Sequence, residues 1–152
     1  MVRKGEPAPD FTLPADDASE VTLSSLRGRT VVLYFYPRDD TPGCTTEACD
    51  FRDALPRFED LDAVVLGVSP DSPASHRRFR EKFSLNFPLL ADENHAVAEA
   101  YGVWKEKKMY GRTYMGIERS TFLIGRDGVV REVWRKVRPK GHAEAVAAAL
   151  AE

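Results

Sequence analysis

The chain has 152 residues, 43% of them hydrophobic, which is enough for one domain to bury a core without disulfides or metals to support it. Its 22 basic and 24 acidic residues give a formal net charge of -2, which excludes the strongly basic surface of proteins that bind nucleic acid or anionic membranes. The apolar runs are too short to span a bilayer, and residues 1–10 lack the apolar stretch of a secretory signal. We therefore expect a cytoplasmic protein with no nucleic-acid or membrane partner.

Two continuous apolar segments predict strands that are buried on both faces. Residues 31–36 are β-branched and aromatic and are stopped by Pro37, and residues 63–69 have the same character. Between them, residues 44–61 carry helix formers and apolar positions near helical spacing, with Pro56 expected to kink or divide the helix. Strand, helix and strand in this order predict a right-handed parallel crossover.

Three further segments predict helices. Ser72 is a good N-cap and Pro73 a good first helical residue, for a helix that should end near Phe83. Residues 95–101 form a shorter helical patch, and the alanine-rich residues 143–150 predict a closing helix.

The same half of the chain predicts an antiparallel pair of strands. Residues 120–124 and 129–137 are strand-like, and the Asp-Gly step within residues 125–128 is a strong hairpin signal. Residues 103–118 fit no element and are expected to form a surface connection. The order of elements predicts an α/β three-layer arrangement over residues 1–152, a single domain with a central mixed sheet flanked by helices, compatible with a thioredoxin-like fold.

The two cysteines, Cys44 and Cys49, lie where the first buried strand gives way to a helix. In a reducing cytosol they should remain free thiols unless a disulfide between them is transient and catalytic. The free N-H groups and the dipole at the helix start favour the thiolate of Cys44, which is the nucleophilic form. Pro37 fixes the direction of the chain, and the Thr41 hydroxyl can be aimed at the sulfur or at a bound peroxide.

A peroxide is one substrate that such a thiolate could attack, and displacement at one of its oxygens would require a donor that stabilises charge growing on the other oxygen. Arg119 begins a predicted strand, and its guanidinium could donate to both the thiolate and the peroxide without losing its charge. The alternative for Arg119 is a surface ion pair with Glu118 or another acid.

Pro37, Thr41 and Cys44 form the pattern P-x-x-x-T-x-x-C, which resembles the active-site motif of the peroxiredoxins. Most of the chain resembles the same family in order, at residues 5–13, 87–92, 100–104 and 119–124. The spacing of Cys44 and Cys49 is similar to that of the Q-type group, also called bacterioferritin comigratory proteins.

The resemblance implies a thioredoxin fold and a thiol peroxidase that acts on hydroperoxides. It implies that Cys44 is the peroxidatic nucleophile and Cys49 the resolving cysteine, that Pro37 and Thr41 surround the sulfur, and that Arg119 is the activating arginine.

The family pattern also bears on Glu47 and on the partners. The resemblance implies that Glu47 orients the arginine, although an acid at a helix start is favourable by itself. It implies reduction by thioredoxin or a similar dithiol protein. We expect a monomer, because no further cysteine is present for an intersubunit disulfide, and no cofactor.

The expected reaction makes a geometric demand on the cysteine pair. A Cys44 sulfenic acid should condense with Cys49 to a disulfide. Five positions apart in one regular helix, their Cα atoms would be about 8.7 Å apart and their side chains roughly 140° apart around the axis. A disulfide needs Cα atoms within about 7 Å, so the helix start should unwind locally, between about residues 41 and 52.

Each of these residues has a structural alternative. Cys44 could be a small buried hydrophobe, and Cys49 an inert core thiol, in which case an outside thiol would resolve the sulfenic acid. Pro37 and Thr41 could be turn residues only. The chain has three histidines, His76, His95 and His142. None has the spacing to the cysteines that a metal site requires, so no metal site is expected.

Two other functions remain open at this point. A dithiol-disulfide oxidoreductase typically uses Cys-x-x-Cys, and the spacing here is two residues longer. A redox-switched binding or chaperone protein would use the cysteine pair only to expose apolar surface, and would not turn over peroxide rapidly.

Overall fold

A mixed five-stranded sheet forms the centre of the molecule, and the computed structural model describes residues 2–152. The elements in chain order are β1 (Thr12–Pro14), β2 (Glu20–Thr22), a 3-10 helix (Leu23–Leu26), β3 (Thr30–Phe35), α1 (Pro42–Asp60), β4 (Ala63–Ser69), α2 (Pro73–Phe83), β5 (Leu89–Ala91), α3 (Ala96–Tyr101), β6 (Trp104–Met109), β7 (Arg112–Ile117), β8 (Ser120–Ile124), β9 (Val130–Trp134) and α4 (His142–Leu150).

The sheet has the strand order β5-β4-β3-β8-β9. β3, β4 and β5 are parallel, whereas β8 runs antiparallel to β3 and β9 antiparallel to β8. The predicted parallel crossover through α1 and the predicted antiparallel pair are both present. The α/β fold with a central mixed sheet flanked by helices, of the thioredoxin-like class, is therefore confirmed.

The central strand β3 is buried on both faces because helices cover both sides of the sheet. Its alternate side chains Val32 and Tyr34 join a core cluster with apolar residues of α1 and α4. Val31 and Leu33 belong to a second cluster that includes residues of α3. A strand buried on both faces has apolar side chains at every position, which is why the sequence of β3 shows no alternation of apolar and polar residues.

Helix α1 runs unbroken through Pro56, so the expected division of the helix was wrong. Proline lacks the N-H group that would bond to the carbonyl four residues earlier, which belongs to Arg52. That carbonyl accepts instead from the side-chain amide of Asn86, at 3.2 Å. The Arg52 guanidinium donates to the carbonyl of Phe83, the last residue of α2, at 2.7 Å. Backbone and side chain of Arg52 thus contact the end of α2 and the segment that follows it.

The expected surface connection at residues 103–118 is a β-hairpin, formed by β6 and β7. Its two-residue turn is Tyr110-Gly111, and both residues have positive φ, 52° and 75°, as in the turns that match the twist of hairpin strands. The hairpin was not predicted because its strands are largely exposed and β6 is rich in lysine, so the strands lack apolar alternation.

The remaining predictions differ from the structure mainly at element ends. The α2 helix begins and ends as predicted, with the Ser72 hydroxyl accepting from the Ser75 N-H at 3.2 Å. The last strand is shorter than predicted, and β1, β2 and β5 have three residues each, too few to give a pattern. Within residues 2–152, no helix combines the length and apolarity needed to cross a membrane.

Candidate active site

Cys44 is the third residue of α1, directly beyond the carboxyl end of β3. It is a free thiol and only 2% exposed. Proline at the first helical position has a backbone suited to starting a helix, and the Thr45 N-H closes the first helical bond on the Thr41 carbonyl at 2.8 Å. The sulfur therefore lies in the first turn, where the positive end of the helix dipole stabilises negative charge.

Arg119 reaches this turn because of the sheet topology. It immediately precedes β8, and since β8 is antiparallel to β3, Ser120 at its start is paired with Phe35 at the end of β3. One guanidinium nitrogen, Nη2, donates to Cys44 Sγ at 3.3 Å, and the other, Nη1, donates to Glu47 Oε1 at 2.7 Å. The structure thus brings Cys44, Glu47 and Arg119 into one contact group.

Gly43 leaves room for the guanidinium. A Cβ atom at this position would lie 3.2 Å from Arg119 Nη2, closer than most side-chain contacts. The alternative ion pair of Arg119 with Glu118 is not formed: Arg119 is engaged with Cys44 and Glu47, and Glu118 pairs with Arg135 at 2.9 Å.

The Arg119-Glu47 pair is almost fully removed from water, with 14% and 0% of the side chains exposed. Burial raises the pKa of Glu47 from 4.5 to about 7, against the opposite effect of the Arg119 charge. Glu47 Oε2 has no hydrogen-bond partner among the described residues. Burial acts to lower the pKa of Arg119, but the charges of Glu47 and Cys44 outweigh it, so the guanidinium stays charged.

Thr41 and Pro37 border the same turn without contacting the sulfur by a hydrogen bond in the described part of the chain. Thr41 is the N-cap residue of α1, and its hydroxyl donates to the Arg38 carbonyl at 2.9 Å. With its hydrogen engaged there, the hydroxyl oxygen can act toward a peroxide only as an acceptor. Pro37 is half-buried at the end of the β3 segment.

Cys49 lies in the same helix as Cys44, as the geometric prediction assumed, and is a half-buried free thiol. Burial raises the pKa of Cys49; the Arg52 charge acts in the opposite direction, whereas Asp53 and Asp50 reinforce the rise. In this conformation Cys49 is held as a thiol rather than a thiolate.

Two histidines that have no motif spacing in the sequence, His142 and His76, lie near the site. His142 begins α4, its Nε2 lies 2.7 Å from the Thr121 hydroxyl, and burial together with the Arg119 charge lowers its pKa to about 4. His76 contacts Asp39 in the segment before Cys44. No sequence motif could have linked His76 with Asp39, since 37 positions separate them.

One group of three residues in the described range could offer metal ligands, namely Asp39, Asp71 and His76. Both ring nitrogens of His76 already face oxygen acceptors, Asp39 Oδ2 at 2.7 Å and the Leu90 carbonyl at 2.9 Å. The ring nitrogens of His76 are thus engaged in hydrogen bonds, and we assign no metal ion to this group.

Glu47 and His142 should give opposite contributions to the pH dependence of stability. The folded state keeps a proton on Glu47 up to about pH 7, whereas the unfolded chain loses it near 4.5, so this group lowers the free energy of unfolding as pH rises through that window. The folded state keeps His142 neutral down to about pH 4, whereas this histidine in the unfolded chain binds a proton near pH 6.5. His142 therefore raises the free energy of unfolding as pH rises through that window. Between about pH 4.5 and 6.5 the two contributions offset each other.

Single variants should separate the two contributions. Relative to the wild type, Glu47→Gln should gain free energy of unfolding from about pH 5 to 6.5, and His142→Gln should lose it, each by at most about 1.4 kcal/mol per pH unit. Urea unfolding of the reduced proteins at both pH values measures this. Titrating surface groups are common to all three proteins and cancel. Equal pH dependence in the three would contradict both assignments.

The sequence matches the AhpC/TSA family over residues 4–133. It is 57% identical over 138 residues to the peroxiredoxin Bcp of Bacillus subtilis, covering 91% of this chain and 88% of that protein. It is 48% identical over 149 residues to a protein of Coxiella burnetii described as a putative peroxiredoxin bcp, covering 98% and 99% of the two chains.

Solved structures show the same relationship. A crystal structure of a PrxQ mutant from Xylella fastidiosa superposes with a TM-score of 0.95 at 42% identity, covering 99% of this chain and 96% of that one. The bacterioferritin comigratory protein of Xanthomonas campestris, whose intermediate and ligand complexes address its alkyl peroxide reduction activity, superposes with a TM-score of 0.89 at 48% identity, over 93% and 90% of the chains.

Proposed function

The chain belongs to the AhpC/TSA family and, within it, to the peroxiredoxins of the Bcp/PrxQ group, and from this premise we propose that it reduces hydrogen peroxide and organic hydroperoxides through a sulfenic acid on Cys44. The observation that carries the proposal is the Arg119 guanidinium, which donates to Cys44 Sγ with one nitrogen and to the buried Glu47 with the other. The alkyl peroxide reduction studied in the Xanthomonas campestris relative supports the inclusion of organic hydroperoxides.

The first step is displacement at the peroxide oxygen that carries the hydrogen. The Cys44 thiolate forms the S-O bond, the O-O bond breaks, and the alkoxide or hydroxide that leaves takes up a proton to become alcohol or water. Arg119 stabilises the negative charge first on sulfur and then on the leaving oxygen. The Thr41 oxygen can accept the peroxide O-H and so fix the direction of attack.

The second step is condensation of the Cys44 sulfenic acid with the Cys49 thiol, which forms the disulfide and releases water. In a regular helix the two Cα atoms lie about 8.7 Å apart, beyond the roughly 7 Å that a disulfide allows, so the first turns of α1 must unwind. Unwinding also exposes Cys49 to water and removes the burial that raises its pKa. Helix opening therefore brings Cys49 close and makes it reactive at the same time.

The remaining parts of the proposal concern partners and setting. A thioredoxin or a similar dithiol protein reduces the Cys44-Cys49 disulfide by thiol-disulfide exchange. Because both cysteines lie in one helix, the cycle needs no second copy of the chain, and we propose a monomer in the cytoplasm, with residues 1–152 forming one domain.

Stopped-flow mixing of the reduced protein with hydrogen peroxide, followed by tryptophan fluorescence, tests the proposal. We expect rapid oxidation and a product with one Cys44-Cys49 disulfide by mass spectrometry. A Cys44→Ser variant is the matched control and should show no fast phase. Oxidation of the wild type no faster than that of a free thiol would reject the peroxidase and favour a redox-switched binding protein, whereas reduction of insulin disulfides would favour a dithiol oxidoreductase.

A further inference from the structure

A cluster of buried polar side chains surrounds Asp39, which lies five residues before Cys44 in the loop between β3 and α1. Oδ1 accepts from the Tyr36 hydroxyl at 2.6 Å, and Oδ2 accepts from the Ser75 hydroxyl at 2.8 Å. Oδ2 also lies 2.7 Å from His76 Nδ1. Asp39 is 8% exposed and His76 0% exposed, so water cannot substitute for these contacts.

His76 must share a proton with Asp39. Its Nε2 lies 2.9 Å from the Leu90 carbonyl, and because a carbonyl only accepts, this nitrogen carries a hydrogen. A neutral ring would then present a bare Nδ1 to a carboxylate, which places two acceptors 2.7 Å apart. The contact therefore holds one further proton, either as an imidazolium beside a carboxylate or as a neutral pair.

The backbone of the same loop is fixed as well. The Asp39 N-H donates to Asp71 Oδ2 at 2.8 Å, and this oxygen also accepts from the Ser69 hydroxyl at 2.7 Å. Asp40 follows with a left-handed φ of 56°, and its carboxylate contacts Lys82 at 2.8 Å. Contacts from β4, α2 and the segment after β4 thus determine the path of the chain two residues before Thr41.

We propose that Asp39 and His76 are positioning residues for the oxidation of Cys44. They hold the loop of residues 37–41 in place. The Thr41 hydroxyl oxygen then faces the peroxide, and the Thr41 backbone carbonyl accepts the first hydrogen bond of α1. Because this loop precedes Cys44, the contact between Asp39 and His76 keeps this end of the site in place while the first turns of α1 unwind. The inference rests on the proposed role of Cys44 as the peroxidatic residue.

The prediction is a selective effect on the first chemical step. Asp39→Ala should lower the second-order rate constant for Cys44 oxidation by about tenfold to a hundredfold, because small displacements of positioning groups are costly. The rate constant for disulfide formation from the sulfenic acid should not fall. Stopped-flow fluorescence resolves the two steps, with hydrogen peroxide as the probe.

Two variants separate positioning from a general loss of stability. Asp39→Asn should restore most of the rate, since its amide can donate to a neutral His76 while its oxygen accepts from Tyr36. Asp16→Ala removes another buried aspartate that contacts α2, through Arg80 at 2.9 Å, but lies outside the loop. It should leave Cys44 oxidation at the wild-type rate.

A double-variant cycle tests whether the two residues act through one contact. His76→Gln should slow oxidation, and Asp39→Ala with His76→Gln should be no slower than the worse single variant. If Asp39→Ala does not fold, Tyr36→Phe, which removes one donor to Asp39, should still slow oxidation selectively. If the wild type oxidises rapidly and the folded Asp39 variants oxidise at the same rate, this inference is overturned but the proposed function stands. If the wild type shows no fast oxidation, the proposed function itself is overturned.

Discussion

Replacing Arg119 by methionine should slow the oxidation of Cys44 by hydrogen peroxide by about a hundredfold to a thousandfold, the loss typical of removing one donor to a developing negative charge. Methionine keeps much of the side-chain volume but cannot donate to Cys44 Sγ or Glu47. The second-order rate constant from stopped-flow fluorescence measures the effect. Arg119→Lys should recover only part of it, since a single ammonium cannot reproduce the fork that reaches both partners.

The neighbouring Arg135 offers a matched control. It pairs with Glu118 at 2.9 Å and is 31% exposed, so Arg135→Met also removes a guanidinium from an ion pair. This variant should oxidise at the wild-type rate. If Arg119→Met and Arg135→Met behave alike, the guanidinium at Arg119 has no special part in the reaction.

Replacing Cys49 by serine should stop the catalytic cycle after one oxidation. The first step should proceed at the wild-type rate, because Cys49 does not belong to the Cys44-Arg119-Glu47 contact group. The product should be a Cys44 sulfenic acid, which a dimedone adduct identifies by mass spectrometry. Steady-state peroxide consumption with thioredoxin as the reductant should then fall to the background rate.

Thr46→Ser is the control for placing serine in the same helix. Thr46 is exposed, its hydroxyl donates to the Pro42 carbonyl at 3.1 Å, and it has no part in the proposed cycle. This variant should turn over repeatedly. Sustained turnover by Cys49→Ser would mean that an outside thiol resolves the sulfenic acid and that Cys49 is a structural thiol.

The parts of the fold that the sequence predicts well are those in which local pattern and burial agree. The continuous apolar composition of β3 and β4 follows from their position in the middle of the sheet, and Ser72 and Pro73 mark the start of α2 by local chemistry alone. The β6-β7 hairpin could not be predicted in this way. Its strands are stabilised mainly by their own ladder and cover little of the core, so their side chains carry no periodic signal.

The residues of the candidate site show the same difference between local features and features that depend on tertiary structure. Cys44 and Thr41 are close in sequence, and the helix start that they share is a local feature. The Arg119 contact depends on β8 pairing with β3, which only the topology specifies. The burial of Glu47 depends on what α1 packs against, and the contact between Asp39 and His76 depends on how α2 packs against the loop before α1; no short motif encodes either.

Helix α1 is continuous, but the contacts of Arg52 and Pro56 give its front and rear parts different mechanical roles. At Arg52 the helix is bonded to the last residue of α2, Phe83, and to Asn86 in the segment after α2. The hydrogen-bond ladder is interrupted at this same place, because Pro56 has no N-H to offer. If the front part, which holds both cysteines, melts as proposed, we expect the melting to stop at this boundary and to leave the rear part of the helix folded. Each turnover would then need only the reversible local unfolding of a few helical turns. The rest of the domain would stay folded, and the helix would reform on it.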